Sequence, residues 1–431
     1  MNVLISLDGL SYKSFERWSQ SFIDLGFSYC KKMITTFPSV TFNAHATAIT
    51  GNSHDQHLIF DNVVADVANA ATIERIALYG DHELLCNEAL HRQTLFYSLA
   101  MHDLKSSCIH WPLTTGNPYI HYLVAESSSK KKIEQAGSAA DLDTVALHET
   151  IQAIESGSYD FIAARFVGYD ALSHQYGKDS MEAIHCAESL IGHIHHIYDT
   201  LSKSQQAFNL FIFSDHGQSD VQSFFYPNEI LAQSRWREHL LNKQIRFIGD
   251  GSGSLLFYSR LTQQENQEIM SYFNRWEQVN HFYELGSGSG AESGLGFGSE
   301  PGFGSESGSG SGLESGSGSG SGFGTWPGSG SAFRPVGILD LKHTICGEDI
   351  LAPEQPQYEA MKSLHGYHPD QVEEMNGFML GIGDRIKQGQ IIEQSHLVNI
   401  APTIAKVFQI PHHCKGREIQ SLISDTIKEH E

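Results

Sequence analysis

Seven residues, far apart in the chain, are of the types that metal-assisted chemistry on an anion requires: Asp8, Thr41, Asp170, His174, Asp215, His216 and His365. Asp8 follows the apolar run Val3 to Leu7, and Asp215-His216 follows the run Asn209 to Phe213. Asp170 and His174 stand four residues apart, so one helical turn or a tight loop aims a carboxylate and an imidazole at one point. His365 lies in a Gly- and Pro-flanked loop with His368 beside it. Each has an ordinary explanation, since an Asp after a strand often caps the next helix and a lone His is usually a surface or core residue. Together, three carboxylates and three imidazoles supply the nitrogen and oxygen ligands that two zinc ions take.

Thr41 sits in Phe37-Pro38-Ser39-Val40-Thr41-Phe42-Asn43-Ala44-His45, where a turn gives way to a small-residue segment, Ala44 to Ile49, able to form a helix. Unpaired backbone N–H groups and the positive helix end make this a place for a nucleophile that attacks an anion. They make it equally a place for a helix N-cap. The stretch alone leaves both readings open.

The elements that must carry these residues alternate. Strands are expected at Val3–Leu7, Ser107–His110, Tyr159–Phe166, Asn209–Phe213 and Phe378–Ile382. Helices are expected over 89–101, Leu142–Glu155, Glu182–Leu201 and Leu397–Phe408. The alternation predicts an α/β fold, a mostly parallel central sheet with helices on both faces. Functional residues then gather beyond the C-terminal strand ends, where Asp8, Asp170 and Asp215 fall. From Leu285 to Ser331 the chain is largely Gly and Ser, with the regularity of an engineered linker or a low-complexity insertion. Such composition predicts a flexible insertion, with one catalytic domain formed by 1–284 and 332–431.

Composition narrows the partners. With 50 Asp and Glu against 28 Lys and Arg, the net charge is -22. That surface repels polyanions, so no nucleic-acid polymer is an expected partner. The 24 histidines make metal sites worth seeking. The 6 cysteines are scattered without a Cys-x-x-Cys pair, as in a reducing compartment. No stretch reaches the length of a membrane span, and Val3-Leu4-Ile5 is too short for a signal segment, so the expected location is cytoplasmic and off the membrane.

The order of the motifs resembles the nucleotide pyrophosphatase/phosphodiesterase (type I phosphodiesterase) family of the alkaline phosphatase superfamily. The matching pieces are Leu4 to Gly9, Pro38-Ser39-Val40-Thr41-Phe42-x-x-His45 with Thr50-Gly51, and His57 to Asn62. Trp111-Pro112, Asp170-x-x-x-His174-x-Tyr176-Gly177, Ser214 to Gly217 and His365-Gly366-Tyr367 follow. The resemblance implies an alkaline-phosphatase-like fold and two zinc ions, other divalent metals being possible. By it, Asp170, His174 and His365 hold one ion, and Asp8, Asp215 and His216 hold the other, with the nucleophile Thr41 between them. Asn62 and the Thr41 backbone N–H stabilise the charged oxygens, and Phe42 stacks on a nucleotide base. A threonine hydroxyl needs such help, because at neutral pH it is too weakly acidic to attack unaided.

Departures concern the substrate. Asn43 stands where the family usually has proline, Leu58 where it has glycine, and Leu113 follows Trp111-Pro112 in place of glycine. Arg165 replaces the usual aromatic residue five before Asp170, and is expected either to face a second anionic group of the substrate or to point away and pair with a surface acid. The expected function is hydrolysis of a phosphodiester or pyrophosphate bond in a small nucleotide-like substrate, through a phospho-threonine intermediate. The alternative is a phosphonoacetate-hydrolase-like or phosphomonoesterase activity on the same two-zinc site, with Arg165 and Lys130-Lys131-Lys132 as anion binders.

Overall fold

The computed structural model describes residues 1–65, 72–79, 90, 93–136, 141–204, 206–285, 334–350 and 361–424. The Gly/Ser stretch therefore lies outside the described residues apart from Leu285. An eight-stranded sheet forms the centre. Its strands run, edge to edge, Ile391–His396, Ser28–Ile34, Gly377–Gly383, Asn209–Phe213, Asn2–Leu7, Phe161–Phe166, Ser106–Ile109 and Tyr122–Val124.

The first strand is apolar on both sides because helices cover both faces of the sheet. Val3, Ile5 and Leu7 pack with Phe15 and Phe22 of helix Tyr12–Asp24, and with Leu142–Ser156 and Met181–Lys203. Leu4 points the other way, toward helices Thr41–Thr50, Leu95–Ala100 and Ile400–Phe408. Burying each such side chain stabilises the fold by roughly 1.5–3 kcal/mol. Local signals fix the helix ends: Asp141 caps the helix from Leu142, and Gly157 closes it in a left-handed conformation.

The strand order positions the chemistry. Asn2–Leu7 lies between Phe161–Phe166 and Asn209–Phe213, parallel to both, with Leu7 opposite Phe166 and Ser6 opposite Phe213. The segments carrying Asp8, Asp170 and Asp215 thus leave the sheet side by side at one edge.

Two features depart from the expected layout. Gly377–Gly383 runs antiparallel to both neighbours, so the sheet is mixed at that point. A separate antiparallel sheet orders Ile245–Ile248, Ser254–Ser259, Gly337–Leu341 and Val279–Glu284 over its own core, which includes Phe247, Phe257 and Phe273. Of the expected 89–101 helix, the described residues show Leu95–Ala100, and the last helix is preceded by a 3-10 turn, Leu397–Asn399. Among the described residues no helix is long and apolar enough to cross a membrane, and five cysteines are free thiols.

Candidate active site

Thr41 is the first residue of its helix, and the N-cap is Val40, which makes no side-chain cap bond. The threonine hydroxyl is therefore not spent on capping. Its Oγ1 lies 3.1 Å from Nε2 of His216. The helix is buried along its whole length: Ala44 and Ala48 pack with sheet residues such as Leu4 and Phe213, and Ala46 packs with Phe42 and Ile59. Its first turn is tied to the next loop by Phe42 N–H, which donates to Asn62 Oδ1 at 3.0 Å. With the amide oxygen used there, the Asn62 Nδ2 group remains the donor end. Phe42 packs with Ile59 and Leu113, and its ring meets Tyr79 edge-on at 6.3 Å. Tyr79 is 43 % exposed and belongs to no motif, so spacing offered no signal for it.

The acids and imidazoles converge. Ligand atoms of Asp8, Asp215 and His216 lie within 4.8 Å of one another, and so do those of Asp170, His216 and His365. His216 thus joins both groups. Its Nε2 is 3.5 Å from Asp8 Oδ1 and 3.3 Å from Asp215 Oδ2, so the Thr41 hydroxyl points into the middle of the cluster. His174 adjoins the second group, with Nε2 3.3 Å from Asp170 Oδ2 and its ring 5.0 Å from that of His365. Helix Gly168–Tyr176 carries Asp170 and His174 on one face. Asp143 holds the start of that helix, accepting from Val167 N at 2.7 Å and from Gly168 N.

Each side chain is braced from behind. His174 Nδ1 donates to the Ser363 carbonyl at 2.8 Å, and His216 Nδ1 donates to the Gly217 carbonyl at 3.2 Å. Both rings then present a bare Nε2 to the centre, the tautomer a metal ligand needs. His45 donates from Nδ1 to the Thr41 carbonyl at 2.8 Å and sits 3.3 Å from Asp215 Oδ2, while its Nε2 meets Ser6 Oγ at 2.9 Å. Gln218 donates to Asp170 Oδ1. Gly9, at φ +73°, brings the chain so near Asp170 that a Cβ there would sit 2.8 Å from its Oδ1.

The electrostatics follow from burial and neighbours. Burial raises the Asp170 carboxyl, but His174, His365 and His216 outweigh it and hold the group far below the usual range. Asp215 is likewise held low against its burial by His216 and His45. Asp8 is pushed well up by burial, Arg165 opposing and Asp215 and Asp170 adding to the rise. Burial, then His216, drives His365 well down. Asp8 Oδ1 and Asp215 Oδ2 are buried and accept no hydrogen bond, an arrangement costly unless something positive meets them. The donor set and these two oxygens fit divalent cations.

Arg165 pairs with acidic side chains, one of them Asp8 of the cluster itself. It lies on strand Phe161–Phe166, only 8 % exposed, with its guanidinium turned into the protein. Nε donates to Asp8 Oδ2 at 2.6 Å, a second nitrogen reaches the same oxygen, and the third donates to Glu126 Oε2 at 2.9 Å. Two carboxylates, one of them wholly buried, thus engage all three of its nitrogens. Asp143, Gln218 and Glu126 are supporting residues for which sequence spacing gave no role, whereas His45 belongs to the Thr41 motif.

A model of the type I phosphodiesterase / nucleotide pyrophosphatase family matches residues 2–279. No curated protein sequence matches the chain. Among solved structures, murine ectonucleotide pyrophosphatase / phosphodiesterase 5 is similar at TM-score 0.69 and 12% identity, covering 98% of this chain and 99% of that one. An inactive form of the murine protein in complex with AMP gives TM-score 0.70 at 12% identity with the same coverage, 98% and 99%. The human counterpart gives 0.69 at 15% identity, again covering 98% and 99%. At these identities the likeness establishes the fold, which is the alkaline-phosphatase-like α/β arrangement.

Proposed function

The chain belongs to the type I phosphodiesterase / nucleotide pyrophosphatase family, and on that premise we propose that it is a two-zinc hydrolase acting through Thr41. The carrying observation is the Thr41 hydroxyl 3.1 Å from Nε2 of His216, the residue common to both acid–imidazole groups. Asp8, Asp215 and His216 would hold one ion, and Asp170, His174 and His365 the other. When bound, two such ions supply Lewis-acid stabilisation of the entering and departing oxygens.

The chain's own residues supply the rest. Thr41 Oγ1 gives up its proton to solvent and bonds to phosphorus as the P–O bond to the leaving group breaks, that oxygen taking a proton from water, which gives phospho-threonine. Water then cleaves that ester and restores the hydroxyl. Asn62 Nδ2 and the Thr41 backbone N–H, at a helix start, are the donors for the non-bridging oxygens. His45 fixes the first turn of the helix to Asp215, so the nucleophile and the cation site keep one spacing. Phe42 and the neighbouring Tyr79 offer an aromatic corner for a nucleobase. AMP in the inactive murine structure supports a small nucleotide substrate. Of the cations that would favour a phosphonate or monoester, Arg165 is paired with Asp8 and Glu126 and Lys130 with Glu126, while Lys131 and Lys132 are exposed on helix Glu126–Ala136.

Metal analysis of the purified protein, joined to turnover of a nitrophenyl diester of thymidine monophosphate, a nitrophenyl monoester and phosphonoacetate, tests the proposal. The diester is expected to be fastest. Thr41→Ala should lose about 1,000-fold or more in turnover at unchanged fold and metal content, while Thr41→Ser keeps part of it. Turnover of Thr41→Ala within about tenfold of the parent would overturn the nucleophile assignment.

A further inference from the structure

We propose that Arg165 is a positioning residue for the ion held by Asp8, and that the helix Glu126–Ala136 sets that ion's affinity through it. The proposal rests on the two-ion reading above. The two oxygens of Asp8 are sorted by their partners. Oδ2 receives two guanidinium nitrogens of Arg165, one at 2.6 Å, while Oδ1 accepts no hydrogen bond and lies 3.5 Å from His216 Nε2. A carboxylate held this way cannot rotate and offers a cation one oxygen only.

Arg165 is itself held. Its remaining nitrogen donates to Glu126 Oε2 at 2.9 Å, and the other oxygen of Glu126 meets Lys130 Nζ at 2.5 Å, one helical turn along. Charge alternates from the exposed Lys130 through Glu126 and Arg165 to the buried Asp8. Ser129 on the same helix meets Nε2 of His110 at 2.8 Å, fastening the helix to the end of strand Ser106–Ile109. Glu126 therefore stops Arg165 from swinging toward the substrate, and Arg165 stops Asp8 from turning away from the ion. Lysine at 165 keeps the charge but offers no planar fork. Partners of this kind usually change metal affinity by about 10–100-fold when removed.

The test is zinc titration of the metal-stripped full chain by calorimetry, with cobalt(II) absorption as a second readout of ligand geometry. The parent is expected to bind two ions. Arg165→Met should bind one ion as the parent does and the other about 10–100-fold more weakly, with an altered cobalt spectrum. Arg165→Lys should recover part of the loss, and Glu126→Gln should show a smaller loss of the same ion. If Arg165→Met fails to fold by circular dichroism, the lysine and Glu126→Gln variants decide. Two ions bound with parental affinity in the variants that fold would overturn the proposal. Fewer than two ions in the parent would instead overturn the two-ion reading beneath it.

Discussion

The two halves of the site solve one problem in different ways. Asp8 and Asp215 have no exposed side-chain surface, and their partners include the charged Arg165. Asp170 and His174 keep 16 % and 17 % of their side-chain surface and pair with each other, and their further partners include the neutral amide of Gln218, a backbone carbonyl and the His365 ring. Where water is excluded, a carboxylate needs a full counter-charge, because desolvation penalises it most there. Where some side-chain surface stays exposed, imidazoles and a neutral amide surround the carboxylate and no guanidinium does. The two halves therefore differ in how completely water is excluded and in which groups face their carboxylates.

The largest effect is expected where this contrast is broken outright. Asp215→Ala removes the partner of Gly9 N and His45 and leaves Arg165 with less counter-charge. It should lose one ion, fall about 1,000-fold or more in diester turnover, and unfold about 3–5 kcal/mol more easily. His174→Gln, in the open half, should keep its stability within about 1 kcal/mol and lose about 10–100-fold in affinity for its ion. Denaturant melts and metal titrations on both variants measure the difference, and equal stability losses would erase it.

Gly9 couples the halves, so Gly9→Ala should strain both. The positive φ and a Cβ 2.8 Å from Asp170 Oδ1 predict a loss of about 1–3 kcal/mol, with both ions weakened together. Weakening of one ion alone would show that the turn does not link them.

A subtler effect concerns the helix that carries Asp170 and His174. Burial raises the Asp143 carboxyl to about 6 in the folded protein, the bonds from Val167 and Gly168 opposing it. The folded state keeps this proton between pH about 4 and 6, where the unfolded chain releases it. This contribution to stability is full below pH about 4 and fades as pH rises through about 6, a span worth about 3 kcal/mol. Asp143→Asn should lack that slope, so its stability relative to the parent should rise over this range. Urea midpoints of metal-free protein at several pH values check it, and parallel profiles would mean that Asp143 does not carry the proton.

The smallest effect is expected from the stretch between Leu285 and the strand at Gly337. Replacing residues 286–331 with a short Gly/Ser linker should leave melting temperature and both ion affinities nearly unchanged, since loop closure costs only about 0.6 kcal/mol per doubling of length. A drop of more than about 5 °C would show that the segment packs against one half of the site.

The sequence by itself determined the local pieces. Apolar runs ending in Asp8 and Asp215 required buried strands with polar ends, and the spacing of Asp170 and His174 required one face of one turn. The ordered motifs named the family. Tertiary structure decided what those pieces meet. Asp8 and Arg165 stand 157 residues apart and pair only because their strands lie side by side in register. The same packing set His216 between two acid groups, placed Tyr79 beside Phe42, and turned Arg165 inward. Periodicity reports which face of an element is apolar, whereas the partner of a buried charge depends on strand order and desolvation. Neither is encoded within a window of neighbouring residues.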